Sequence, residues 1–129
     1  MKQLIILSLL LYCQAMAMAQ PKPSVGATIK LTDCGLEVRT ADEPESYSWY
    51  DAKTKCESLG DGWRMPTKPE LECLYKNKEK ISGFKRDWYW SSQKVGDWNY
   101  WVKSFSNGKQ FGYSGSNSAK LRVVKTLKK

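Results

Sequence analysis

Gly60-Asp61-Gly62-Trp63-Arg64-Met65-Pro66-Thr67-Lys68-Pro69-Glu70-Leu71 is the stretch whose reading decides the fold. Gly60 supplies the left-handed residue that ends a helix. Pro66 disfavours helix for Met65 and holds the passage extended. Thr67, with Glu70 three residues on, forms a capping box that opens a second helix, and losing such a cap costs about 1 kcal/mol. Two helices therefore flank a short rigid joint. Trp63 and Met65 face inward, and Arg64 either braces the passage through backbone carbonyls or meets an anion.

Working outward, Ser48 caps the helix before the joint, with Asp51 three residues on. Trp49, Ala52, Cys56 and Leu59 fall on one helical face. Asp51, Lys53, Lys55 and Glu57 take the other. After the joint, Leu71, Leu74 and Tyr75 form an inward stripe, which polar Asn77 to Lys80 ends. Upstream, 27–32 and 36–40 alternate as strands around the turn Asp33-Cys34-Gly35. Downstream, 88–92 and 100–105 are strand-like and rich in aromatics. Asn107-Gly108 is a hairpin signal leading back through 109–113, and 121–125 is a last strand. Strands, two helices and then mostly antiparallel strands make an α+β domain.

Residues 1–19 read as a secretory signal peptide: Lys2, an apolar run from Leu4 to Leu11, and the Ala17-Met18-Ala19 cleavage signal. That run is too short to span a bilayer. Cys13 leaves with it; bulky Tyr12 argues against lipid attachment there. Cleavage after Ala19 takes 19 of the 129 residues and one of the 21 cations, leaving 110 residues with net charge +7. The expected organisation is a leader over 20–26, one domain over 27–126 and a basic tail at 127–129. The expected location is extracellular, at the cell surface or periplasmic. The positive balance suits anionic partners, although scattered lysines also serve plain solubility. Cys34, Cys56 and Cys73 remain, and export permits a disulfide. One bridge has three possible pairings and leaves one thiol over. With no histidine and no short-spaced cysteine pair, no zinc site is expected.

A set of motifs resembles one bacterial family. These are Trp49-x-x-Ala52-x-x-x-Cys56-x-x-Leu59; Gly62-Trp63-Arg64-Met65-Pro66-Thr67-x-x-Glu70-Leu71; Tyr89-Trp90-Ser91-Ser92; Phe105-x-Asn107-Gly108; and Leu121-Arg122-Val123-Val124. In this order, over residues 34–125, they are similar to the Lcl C-terminal domain family, also called domain of unknown function 1566 and akin to the Fibrobacter major paralogous domain. The resemblance implies a C-type lectin-like fold with two helices and a mostly antiparallel looped sheet. It implies export or surface display, and one branch of the family binds sulfated polysaccharides. Trp49, Cys56, Trp63, Arg64, Pro66, Thr67, Glu70, Trp90, Ser91 and Ser92 are the matching positions, expected to be structural. Related domains often place a cysteine in the last strand to pair with the one in helix one. Val123 and Val124 stand there here, so Cys34 or Cys73 substitutes. The carboxylate triplets of calcium-dependent lectins are absent, and Trp98-Asn99-Tyr100 lacks the acid a hard cation wants.

Enzyme signals are poor. Without histidine the commonest general base near neutral pH is missing. Ser91 and Ser92 have no marked activating partner and are read as local backbone hydrogen-bonders. Glu70 and Glu72 do not share a helical face, so they are no carboxylate pair for glycoside hydrolysis. No catalytic residue, cofactor or metal is expected. The binding candidates lie in the late segment, where basic groups interleave with aromatics: Lys94, Trp98, Asn99 and Tyr100, then Lys103, Lys109, Tyr113 and Lys120. The alternative there is a hairpin with solvated lysines and edge-packed aromatics. The expected partner is an anionic polysaccharide or a cell-surface protein, with no nucleic acid and no membrane span in the mature form. The competing reading is a structural or assembly protein of the bacterial cell envelope.

Overall fold

The computed structural model describes residues 26–128. The signal-peptide expectation and nearly all of the leader lie outside them. Among the described residues no helix is long and apolar enough to cross a membrane.

The first strands, β1 (Thr28–Leu31) and β2 (Leu36–Arg39), form a hairpin as their alternation predicts. β2 then pairs with β8 (Val124–Thr126), closing a three-stranded antiparallel sheet from the two ends of the domain. A second sheet has the order β3-β7-β4-β5-β6, with β3 at Ser46–Tyr47, β4 at Trp88–Lys94, β5 at Asn99–Ser104, β6 at Gln110–Ser114 and β7 at Ala119–Lys120. Every pairing is antiparallel except the short contact between β4 and β7. The α+β expectation holds.

Two expectations need correcting. The last strand was read as unbroken over 121–125, but β7 stops at Lys120 and β8 starts at Val124. Between them the chain crosses from one sheet to the other, with Leu121 O accepting from Glu43 N and Val123 O from Arg39 N. Leu121, Arg122 and Val123 are all fully buried there, a burial that a strand in a single sheet would not require. The polar stretch after the second helix adds a turn of its own, α3 (Lys78–Ile81), because Ile81 returns to the core.

The joint folds as its caps dictate. Helix α1 (Trp49–Leu59) starts on Ser48, whose Oγ accepts from Asp51 N at 3.1 Å. It ends at Gly60, whose φ is positive at 61° but whose ψ of −161° lies outside the left-handed helical region. Helix α2 (Lys68–Lys76) starts on Thr67 with both halves of the capping box formed. Arg64 makes a two-pronged pair with Glu70, at 2.7 and 2.9 Å, while Glu70 Oε1 also accepts from Thr67 N at 2.8 Å. Burial pushes the Glu70 carboxyl up, but the Arg64 hydrogen bonds, the Thr67 contacts and the Arg64 charge together hold it below its usual range. One glutamate thus caps a helix and anchors the arginine before it.

The sheet divides two cores by strand alternation. Trp90 and Val102 pack on one side with Ala52, Cys56, Trp63 and Met65. Tyr89 packs on the other with Leu36, Leu71, Leu74, Ile81 and Phe105. Cys34 in the β1–β2 turn is bonded to Cys73 in α2, which settles the open pairing and ties the small sheet to the second helix. Among the described residues Cys56 is the free thiol, on the buried face of α1.

Candidate ligand-binding surface

The N-terminus of α1 brings three aromatic rings together. Trp49 lies flat on Tyr100, with ring centres 3.7 Å apart and planes 11° from parallel. Tyr50 stands edge-on to both. Backbone bonds fix the arrangement: Trp49 N donates to Gly115 O, Gly115 N donates to Trp98 O, and Trp49 Nε1 donates to Ser91 O, each at 2.9 Å. A side chain at 115 would not fit, since a Cβ would fall 2.9 Å from Tyr100 and 3.1 Å from Tyr50. Gly115 therefore locks the β4–β5 loop and the β6–β7 loop against the start of α1.

Two grooves run along this face of α1, of about 550 and 650 Å³, and they share Trp49, Lys53, Glu57 and Ser92. The first has an apolar floor of Cys56, Trp63 and Met65. The second is rimmed by Tyr50, Thr54 and Lys94 over Tyr100. The Lys53 ammonium lies 5.9 Å from the Trp49 ring centre, within cation–π reach. Burial, then the Glu43 and Glu57 charges, push the Cys56 thiol up to about 12. It stays protonated at neutral pH and is no nucleophile there.

The late-segment candidates do not form one face. Lys94, Trp98 and Asn99 are exposed and meet at the α1 end of the sheet, Trp98 being 74% exposed. Tyr100 is only 5% exposed, with the Trp49 ring lying over it. Lys103 is likewise closed off from solvent. It lies on the sheet face beneath α2, is 1% exposed, and spends its ammonium on Glu72 and on Gly108 O. That hydrogen bond is the main reason the Glu72 carboxyl sits below its usual range. Tyr113 is half-buried against Trp88 and Trp90. Lys109 is exposed at the far end of the β5–β6 hairpin, and Lys120 is half-buried on β7 beside Ser46. Among the motif positions, Trp63, Met65, Pro66, Trp90 and Ser91 are buried; Ser91 Oγ accepts from Gln93 N, and Ser92 N donates to Pro66 O.

Sequence reasoning missed Tyr50 and Lys53. Lys53 was assigned to the solvent side of the helix, and so it is, but that side borders the groove. The available signal was position: both flank Trp49 within one turn of helix. Among the described residues, the metal-type donors that cluster are Asp33, Cys34 and Cys73, and the disulfide engages both sulfurs.

The model of the Lcl C-terminal domain matches residues 28–125. The crystal structure of botrocetin, a C-type lectin-like protein, superposes with a TM-score of 0.56 at 12% identity, covering 82% of this chain and 99% of that one. The search of curated proteins returned no match. The fold is therefore C-type lectin-like.

Proposed function

This chain belongs to the Lcl C-terminal domain family, and from that premise we propose that it is an exported, non-catalytic binding module for anionic glycans, acting without calcium. One observation carries the reading. The open end of the sheet sets an exposed indole, Trp98, and a groove walled by Trp49 and Tyr50 beside two ammonium groups, Lys53 and Lys94. Flat aromatic faces take the apolar side of a sugar ring, and the lysines take its sulfate or carboxylate. The serines, the protonated thiol and the capped glutamate offer no activated nucleophile or acid–base pair, which supports a role without catalysis. The test is titration calorimetry of the full chain with a sulfated oligosaccharide and its desulfated counterpart. Affinity for the sulfated form that weakens as salt rises supports the reading; equal affinity for both forms, or none in the presence and absence of calcium, overturns it.

A second reading, assembly into an envelope structure, draws on the edge strand β6. Trp88, 38% exposed, packs edge-to-face with Phe111 and Tyr113 on this strand, whose outer edge has no partner among the described residues. An open edge of this kind is a template for pairing with another chain. A concentration-independent monomer in sedimentation would remove it.

A further inference from the structure

At the opposite end of the molecule a pocket of about 530 Å³ lies between α3 and the β5–β6 hairpin. Lys78, Lys85 and Arg86 line it, with Ser82 and Ser106 hydroxyls and a single carboxylate, Glu79. Phe84 and Phe105, stacked with centres 4.4 Å apart, lie alongside. Among the described residues, Arg39, Arg64, Lys103, Arg122 and Lys125 all hold a carboxylate partner. None of the three pocket cations does. The Lys78 ammonium rests instead over the Tyr75 ring at 3.9 Å.

The loop that presents Lys85 and Arg86 is held along its length. Ser82 N donates to Lys78 O at 2.9 Å, and Ser82 O accepts from Arg122 Nη1 at 3.2 Å. Arg122 is fully buried, bonded through Nε to Asp42 at 2.9 Å, and stacks on Phe84 at 3.9 Å. Lys85 N donates to the Tyr89 hydroxyl at 2.9 Å, and that hydroxyl donates to Asp42 at 2.8 Å. Ser82 and Gly83 both have positive φ, and a Cβ at Gly83 would fall 2.3 Å from Thr40 O. A buried arginine and a buried tyrosine therefore fix the backbone from below while the Lys85 and Arg86 side chains remain exposed. Cations on a held backbone lose less entropy on binding than cations on a loose loop.

We propose that this pocket is an oxyanion subsite that takes a sulfate or phosphate ester carried on a glycan chain. It goes beyond the groove reading, for it shares no residue with that groove and stands or falls separately. Arg86 offers a planar fork to two oxygens, Lys85 and Lys78 add charge, and the serine hydroxyls complete the oxygen contacts.

The test compares the full chain with two double variants, Lys85→Glu/Arg86→Glu and Lys53→Glu/Lys94→Glu, on a sulfated dextran and on a polyglycerol phosphate. The first variant is expected to lose about tenfold or more in affinity for at least one polymer, with a shallower salt dependence and an unchanged melting temperature. The polymer that suffers identifies the ester. Lys85→Arg, which keeps the charge and leaves the Arg86 fork in place, should bind within about threefold of the unmodified chain. If Lys85→Glu/Arg86→Glu leaves both affinities intact while Lys53→Glu/Lys94→Glu weakens them, the subsite is wrong and the groove reading stands. If neither variant weakens binding, both are wrong. A check independent of any substitution is inorganic sulfate at matched ionic strength, which should shift the backbone amides of Gly83 to Arg86 saturably in NMR spectra. Linear, chloride-like shifts would contradict the proposal.

Discussion

Lys94 ends β4 in the open, whereas Lys103, on the next strand, is sealed beneath α2. From sequence both were binding candidates: Lys94 in the polar stretch after 88–92, Lys103 inside the strand-like run 100–105. What separates them is a carboxylate. Glu72 on α2 meets Lys103 and takes its charge, while among the described residues no acid pairs with Lys94, which stays at the rim of the α1 groove. The same contrast separates the covered face of the sheet from its open end. Under α2, charge serves packing; Lys68 is likewise spent, its ammonium 3.6 Å over the Trp101 ring. Beside α1, aromatic faces and cations remain available. A count of lysines cannot find a binding surface; the helix laid across the sheet decides which lysines count.

The largest effect should fall on the covered side. Cys34 and Cys73 are 39 residues apart, and closing a loop of that size stabilises by about 4 kcal/mol in the chain-entropy account. Replacing both with serine should lower the free energy of unfolding by roughly that much, read by denaturant titration. Glycan affinity of the folded protein should be unchanged, because α1 and the β4–β5 loop do not depend on the bridge. A matching loss of affinity would break the separation of the two regions.

Next comes Lys103→Ala, expected to cost about 2–3 kcal/mol of stability through lost packing and an unpaired Gly108 carbonyl, again without loss of binding. Lys94→Glu should do the reverse, weakening glycan binding with stability kept within about 0.5 kcal/mol. Trp98→Ala, at an exposed position, should cost about 1–2 kcal/mol of binding and almost nothing in melting temperature. Calorimetry with thermal melts on the same samples checks all three.

The smallest effect is on pH. Glu70 has its carboxyl lowered in the folded state, so its contribution is present above the unfolded carboxylate value, about 4.3, and is lost as pH falls through the folded value. Stability should therefore drop below about pH 4. Glu70→Gln should flatten that decline while costing about 1 kcal/mol at neutral pH from the weakened cap and the lost Arg64 pairing. An equal acid slope in the variant would assign the decline to other carboxylates.

Much of the fold was legible because it is written locally. Ser48, Thr67, Glu70 and Pro66 act on neighbours within a turn, so the caps and the joint could be read from spacing. Glu70 as partner of Arg64 was not anticipated, although both stood in the same stretch: the arginine was expected to meet backbone carbonyls, as it does at Met65 O at 3.3 Å, or an unnamed anion. The break at 121–123 was hidden because Leu-Arg-Val-Val alternates poorly but is β-prone, and only the distant strands β2 and β4 show why it crosses. The candidate site was half legible. Trp98, Asn99 and Lys94 belong together, but Tyr50 and Lys53 join them through Gly115, a contact between residues far apart in the chain. Arg122 could not be read as buried, since nothing near it announces Asp42.

On the reading proposed above, the ligand sits on the open end of the sheet beside α1. The most direct measurement is NMR mapping of the isotope-labelled full chain with a sulfated oligosaccharide. The account predicts that the largest shifts gather on Tyr50, Lys53, Lys94, Trp98 and the Trp49 indole, with the amides around Lys103 and Glu72 unmoved. Shifts centred on the β6 edge, or on the face under α2, with the α1 groove silent, would contradict it.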